Sequence, residues 1–234
     1  MISRAVEDYL KAIYELQQEE EVGPVTTSAL AGRLEIAPAS VTGMLKKLAE
    51  SQPELVCYER HHGVRLTPAG EKLALDVIRH HRLLESYLSE ALGYTWDQVH
   101  TEADRLEHVI SEEFEDRIAA VLGHPEIDPH GDPIPDRNGA VPRRNETRLT
   151  ELEAGQSAAI CRVSDHDPAL LRYLSELGIT LQVRVEVTEK APFSGPIYVR
   201  VAGQNGPHAL NPSVTDHIFV ALDTIRKSEM EQVV

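Results

Sequence analysis

The chain has only two cysteines, Cys57 and Cys161, and neither sits in a C-x-x-C pair, which excludes a disulfide framework and a thiolate zinc cluster. No apolar run approaches the ~20 residues that a membrane-spanning helix needs. No signal peptide precedes Tyr9, so a cytoplasmic protein without a membrane partner is expected. Basic residues are scarce too. Lys and Arg number 23 against 38 Asp and Glu, a formal net charge of −15, which argues against a general polyanion binder. The deficit is uneven: residues 1–70 carry 7 basic and 10 acidic side chains, and the rest of the chain carries 16 and 28. A nearly neutral N-terminal part leaves room for nucleic-acid contact at that end, while the acidic body suits cation binding. The length of 234 residues allows two or three small domains.

What is present is histidine and carboxylate at helical spacing. In H-T-E-A-D-R-L-E-H, positions 100–108, a 3.6-residue period puts His100, Asp104, Glu107 and His108 on one face. Val99, Ala103, Leu106 and Ile110 fall beside them, so the helix can bury an apolar side with a polar seam along its edge. One helix earlier, R-H-H-R-L-L-E sets His81 four residues from Glu85. Imidazole and carboxylate together offer hard and borderline ligands for a divalent metal. Either seam alone reads equally as the solvated face of an amphipathic helix; two on consecutive helices favour the metal.

Taken in order, the chain begins with a helix over about 2–19, with Val6, Leu10, Ile13, Tyr14 and Leu16 at helical spacing, ended by Glu19, Glu20, Glu21 and Gly23-Pro24. Asp8 in its first turn reads on its own as dipole decoration. A capping Thr26 or Thr27 opens a short helix through Leu34. Ile36 and Ala37 make a turn, and Pro38 starts a second helix running to about Glu50. Two short helices so joined form a helix-turn-helix. The second carries small residues at its start and lysines further on, which suits base edges and phosphates respectively. A plain helical bundle without ligand is the alternative. Residues 55–60 and 64–67 read as strands around a His61-His62-Gly63 turn, and a hairpin after a helix-turn-helix is a winged helix. Candidate DNA contacts are Thr27, Ala37, Ala39, Ser40, Thr42, Gly43, Lys46, Lys47, Arg60 and Arg65.

A long helix over about 67–92 and a second helix or helix pair over 96–122 follow, apolar enough to suggest a dimer interface. Gly123 to Arg148 is a connector by composition, yet it holds Asp128 and His130. Four strands (158–163, 181–188, 197–202, 218–222) and a helix at Pro168–Leu177 then fit a small SH3-like β-barrel. Asp165-His166-Asp167 ahead of that helix reads as a capping cluster or as further ligands.

The stretches E-D-Y-L-K-A-I-Y-E-L, A-P-A-S-V-T-G-M-L-K-K-L, L-T-P-A-G, R-H-H-R-L-L-E, H-T-E-A-D-R-L-E-H and D-P-H-G-D-P-I-P resemble the diphtheria-toxin-repressor family of metal-dependent transcription regulators, in particular its manganese-responsive branch. The resemblance covers nearly the whole chain. It implies a mainly α protein with a small β domain: a winged helix-turn-helix over 1–72, a helical dimerisation and metal-binding domain with connector over 73–148, and an SH3-like (FeoA-like) domain over 149–234. It also implies a homodimer on a double-stranded DNA operator, repressing metal-uptake genes in metal homeostasis, with metal ordering the N-terminal helix. Its primary metal site falls on Asp8, His81, Asp104, Glu107 and His108. A second site falls on Glu85, Asp128 and His130 with His100 or one of Asp165, His166 and Asp167. The iron-responsive branch has Met and Cys where this chain has Asp8 and Asp104, so these hard ligands favour Mn(II), with Fe(II) as the alternative. The manganese branch often has Glu at Asp104, a further acid at Lys11 and Cys at Asp128, so the shorter side chain at Asp104 and the missing carboxylate at Lys11 leave the number of metals open. A metallohydrolase and a metal-buffering protein are the rival readings; both leave the winged helix unexplained.

Overall fold

The computed structural model describes residues 2–19, 23–142 and 145–222. The helix stop at Glu20 and Glu21 and positions 223–234 of the expected third domain lie outside the described residues. The chain forms two compact units: Met1–Leu88 with Thr101–Glu126 and Ile134–Pro142, and Ser89–His100 with Ile127–Pro133 and Arg143–Val234. The segment expected as one helical domain, 73–148, therefore contributes to both.

In the first unit, α1 (Arg4–Glu19) buries Val6, Tyr9, Leu10, Ile13 and Leu16, the apolar stripe of an amphipathic helix. Helix α2 (Thr27–Arg33) is capped by Thr26, whose side chain accepts from the Ala29 amide at 3.1 Å. Glu35 takes a left-handed conformation (φ 54°) in the turn, and α3 (Pro38–Ala49) starts on its proline. Val41, Leu45 and Leu48 of α3 are buried, which leaves Ala39, Ser40, Gly43, Lys46 and Lys47 exposed on the opposite side.

Strands β1 (Val56–Glu59) and β2 (Gly63–Leu66) pair antiparallel from Val56↔Leu66 to Glu59↔Gly63. Val25 adds a bridge to Val64. The glycine of L-T-P-A-G has a packing reason: a Cβ on Gly70 would lie 2.0 Å from the Leu55 carbonyl oxygen, so only glycine lets the start of α4 (Pro68–Leu92) lie against the hairpin.

Of the two readings of 96–122, one helix or a helix pair, the structure has the pair, α5 (Trp96–Leu106) and α6 (Glu112–Val121). Ser111 caps α6 through the Phe114 amide at 3.2 Å. The break corrects the helical-face reading: α5 ends at Leu106, so Glu107 and His108 lie in the turn that follows. That turn is held by His80, whose Nδ1 lies 3.2 Å from the Glu107 carbonyl and whose Nε2 lies 3.0 Å from Glu115. Arg79 donates to the same Glu115 at 2.5 Å and to the Pro135 carbonyl at 2.6 Å. Burial alone would lower the His80 pKa, but acceptors at both ring nitrogens hold it above its ordinary value.

The second unit corrects the barrel expectation. Strands β3 (Thr147–Arg148), β4 (Ser157–Val163), β5 (Arg184–Lys190), β6 (Ile197–Val201), β7 (Pro207–Leu210) and β8 (Ile218–Leu222) form one open antiparallel sheet in the order β3-β8-β4-β5-β6-β7. Bulges at Ile160/Arg162 and Val187/Glu189 bend it. Closure requires the two edge strands to pair, but β3 runs only two residues before the chain enters a 3-10 turn at Leu149–Glu151. Two strands, β3 and β7, carried no sequence signal: one is too short to show alternation, and the other begins on Pro207, which an edge strand tolerates. Helix α7 (Pro168–Glu176) packs Leu171 and Leu174 onto the sheet beside Leu149, Leu152, Ile160 and Val187. A short helix α8 (Pro212–Thr215) precedes β8.

Candidate metal centre and nucleic-acid face

In the first unit, α1, α4 and the end of α5 bring Asp8, His81, Asp104, Glu107 and His108 together as two adjacent three-donor groups, Asp8–Glu107–His108 and His81–Asp104–Glu107. Two residues outside the predicted set shape them, Glu7 and Lys11. The His108 Nδ1 lies 2.6 Å from Glu7 Oε2. A carboxylate only accepts, so Nδ1 carries a proton, which leaves Nε2 as the nitrogen that a metal would take. That Nε2 is buried, makes no well-directed hydrogen bond, and lies 2.8 Å from Asp8 Oδ1 and 3.2 Å from Glu107 Oε1. One imidazole nitrogen and two carboxylate oxygens converging in this way fit a hard or borderline divalent cation. Burial pushes the Asp8 carboxyl up despite His108 and Arg4 nearby, a cost that a cation at this place removes.

The other group surrounds Lys11. Its Nζ lies 2.8 Å from Glu107 Oε2, 3.0 Å from Asp104 Oδ1 and 2.9 Å from His81 Nδ1. Burial acts to lower the ammonium's pKa, but Glu107, Glu15 and Asp104 outweigh it and hold it above the usual range. His81 is buried as well, with Nδ1 2.6 Å from Glu107 Oε2 and Nε2 2.9 Å from Glu85 Oε1. Burial and Lys11 would lower its pKa; Glu85 and Glu107 reverse this and raise it to about 9. Burial alone would raise Glu107, yet His81 and Lys11 hold it below the ordinary carboxylate value. Spacing on α1 held the signal for both missed residues, because Glu7 and Lys11 are four apart and Asp8 and Lys11 three apart.

The second unit holds the remaining predicted ligands apart from Glu85. His100 Nδ1 lies 3.1 Å from Asp165 Oδ2, and His166 Nδ1 lies 3.3 Å from Asp165 Oδ1. Asp167 is engaged otherwise: it caps α7 by accepting from the Ala169 amide at 2.8 Å. The Asp128 carboxylate accepts from the amides of His130 (2.8 Å) and Asp132 (2.9 Å). His130 Nε2 donates to the Trp96 carbonyl at 2.7 Å, and the two rings stack with centroids 6.2 Å apart. Donation through Nε2 leaves Nδ1 as the nitrogen that a metal would take. Gly131 (φ 97°) fixes this loop, since a Cβ there would meet the Cys161 carbonyl at 2.1 Å. Neither cysteine belongs to a three-donor group among the described residues.

Of the candidate DNA contacts, Ala37, Ala39, Ser40, Gly43, Lys46, Lys47, Arg60 and Arg65 are exposed, while Thr27 and Thr42 are half-buried. Thr42 donates its hydroxyl to the Pro38 carbonyl at 3.1 Å, so its methyl is the more available group. No described helix is long and apolar enough to cross a membrane.

Three family models cover most of the chain: residues 1–64 match the iron dependent repressor, N-terminal DNA binding domain; residues 67–136 its metal binding and dimerisation domain; and residues 147–222 the FeoA domain. The iron-dependent repressor IdeR of Mycobacterium tuberculosis (strain ATCC 25618 / H37Rv) is 35% identical over 222 residues, which span 89% of this chain and 94% of that protein. The diphtheria toxin repressor of Corynebacterium diphtheriae is 39% identical over 129 residues, 55% of each chain. Among solved structures, a manganese-dependent transcriptional repressor in complex with manganese superposes with a TM-score of 0.86 at 38% identity, covering 93% of this chain and 99% of its own. ScaR with bound Zn2+ gives 0.79 at 32% identity, covering 93% and 99%.

Proposed function

Since this chain belongs to the iron-dependent repressor family, which includes the diphtheria toxin repressor, we propose that it is a Mn(II)-activated, homodimeric repressor of metal-uptake genes that binds a double-stranded DNA operator. The observation that carries the reading is His108: its Nδ1 is engaged by Glu7, and its Nε2 faces Asp8 of α1 and Glu107. A divalent metal held by Asp8, Glu107 and His108 would supply the positive charge that ties the helix-turn-helix end of the unit to α4 and α5. The donors are oxygen and imidazole alone, which suits Mn(II). Fe(II) is the second reading, supported by the iron-dependent relatives. Their names also favour regulation over the hydrolase and metal-buffering alternatives. The dimerisation domain matched at 67–136, with Phe114 and Val121 exposed on α6, supports a second copy as partner.

In this reading α2 to β2 form a winged helix-turn-helix. The α3 face of Ala39, Ser40 and Gly43 meets base edges beside Ala37, Thr42 and Thr27, and Lys46, Lys47, Arg60 and Arg65 meet phosphates. The test is operator binding with and without Mn(II) or anaerobic Fe(II), across a salt series. Tight binding is expected only with metal. Lys47→Ala should reduce the slope of log K against log[salt] by roughly 0.9 and leave sequence preference unchanged. Metal-independent binding would overturn the proposal.

The second unit is read as a further metal-responsive region, with His100, Asp165, Asp128 and His130 as its donors and Asp167 reduced to a helix cap. Calorimetry on His130→Ala should then show weaker or fewer Mn(II) ions bound, with the transition assigned to Asp8, Glu107 and His108 retained. Unchanged stoichiometry and affinity would remove this region from the mechanism.

A further inference from the structure

The two donor groups of the first unit share Glu107 through opposite oxygens. Oε1 faces His108 Nε2 at 3.2 Å, and Oε2 faces His81 Nδ1 at 2.6 Å and Lys11 Nζ at 2.8 Å. A carboxylate divided in this way can bridge two cations. One cation position already holds a positive charge of the protein's own, the Lys11 ammonium, within 3.0 Å of Glu107, Asp104 and His81. An ammonium is a compact point charge, and two carboxylate oxygens and the His81 ring stand around this one. Lys11 is buried, so moving its charge out would leave the Glu107 and Asp104 carboxylates facing each other without the ammonium between them. A divalent ion entering that half would also meet Lys11 at close range, and two cations so placed repel.

We propose that Lys11 is a tethered cation that fills the His81–Asp104–Glu107 half of the centre, so that the centre accepts one divalent metal, on the Asp8–Glu107–His108 half. This rests on the metal-binding reading above and adds that the stoichiometry is set by one residue of α1. Asp104 and His81 then act as positioning residues: they hold Lys11 and, through Glu107, orient the oxygen offered to the metal. A simple salt link from α1 to α5 would need only one acceptor. The arrangement here sets two carboxylates against the ammonium, and with the His81 ring beside them they form a group of three residues whose ligand atoms could hold a metal.

The test uses the full chain and its Lys11→Glu and Lys11→Met variants, loaded with Mn(II) and followed by calorimetry and electron paramagnetic resonance. Two Mn(II) ions bridged by one carboxylate give an exchange-coupled spectrum, which a distant ion in the second unit does not. Wild type at saturation is expected to show no coupled pair. Lys11→Glu, which exchanges the ammonium for a carboxylate, is expected to bind one more Mn(II) per chain and to show the coupled spectrum; Lys11→Met is expected to bind the extra ion more weakly. A coupled pair in wild type, or folded variants with unchanged stoichiometry, overturns the inference. Wild type answers the question by itself should a variant not fold. Asp8→Ala separates the two readings: if it takes up as much Mn(II) as wild type, the centre itself is misassigned and the inference falls with it.

Discussion

Asp8→Ala is expected to abolish metal-stimulated operator binding while the protein stays folded and dimeric. Asp8 lies in α1, ahead of the helix-turn-helix, whereas Glu107 and His108 lie in the turn after α5, so among the donors facing His108 Nε2 it is the one that comes from the DNA-binding end. Only a ligand that prefers one arrangement shifts the population toward it. At ~100 times its dissociation constant a metal contributes about 2.7 kcal/mol to the state that binds it, a factor of about 100 in operator affinity. The side chain is partly exposed, and its other charged neighbour, Arg4, stands 4.0 Å away, so its removal should cost little metal-free stability. Fluorescence anisotropy with labelled operator, at fixed salt and with Mn(II) titrated, measures the effect. A variant whose operator affinity still rises about 100-fold with Mn(II) would disprove the coupling.

Glu107→Ala is expected to have the opposite profile, damaging the metal-free protein itself. Glu107 is almost fully buried and serves Lys11, His81 and His108 together. Its removal leaves the Lys11 ammonium without its shortest contact and leaves His81 facing Lys11. Breaking a buried pair from one side typically costs about 3–5 kcal/mol, because the remaining charge is uncompensated. Denaturant unfolding of the chelated protein checks this. Pairing the change with Lys11→Met should restore a substantial part of the lost stability, because the stranded charge goes with it. A Glu107→Ala variant as stable as wild type in chelator would mean that Lys11 is solvated rather than held by this carboxylate.

The extent to which the sequence revealed the centre can be traced residue by residue. Local rules suffice for the elements around it: a threonine cap at 26 or 27, which the structure places at Thr26, Pro38 as a first helical residue, and the apolar stripe of α1 each act within a few residues of chain. Composition set the chemistry, because a chain with two unpaired cysteines and many carboxylates and imidazoles offers hard ligands. Periodicity misled at α5, where Glu107 and His108 were read as continuing the helix. The Ser111 cap and the His80 contact to the Glu107 carbonyl, formed across 27 residues, shape a turn instead. Closure of the C-terminal sheet was likewise beyond reach, since it depends on whether edge strands meet, and β3 is too short to register in any pattern.

The sequence by itself determined the helices other than the end of α5 and the short α8, together with the hairpin, the donor types and the family. Tertiary structure alone decided that Asp8 meets residues a hundred positions away, that Glu7 meets the Nδ1 of His108, and that Lys11 lies among Asp104, Glu107 and His81. The physical reason is that a side chain's charge partner is chosen by packing. Sequence spacing specifies neighbours one helical turn away, whereas Lys11 reaches Asp104 and Glu107 only because α1 and the end of α5 are brought to the same place.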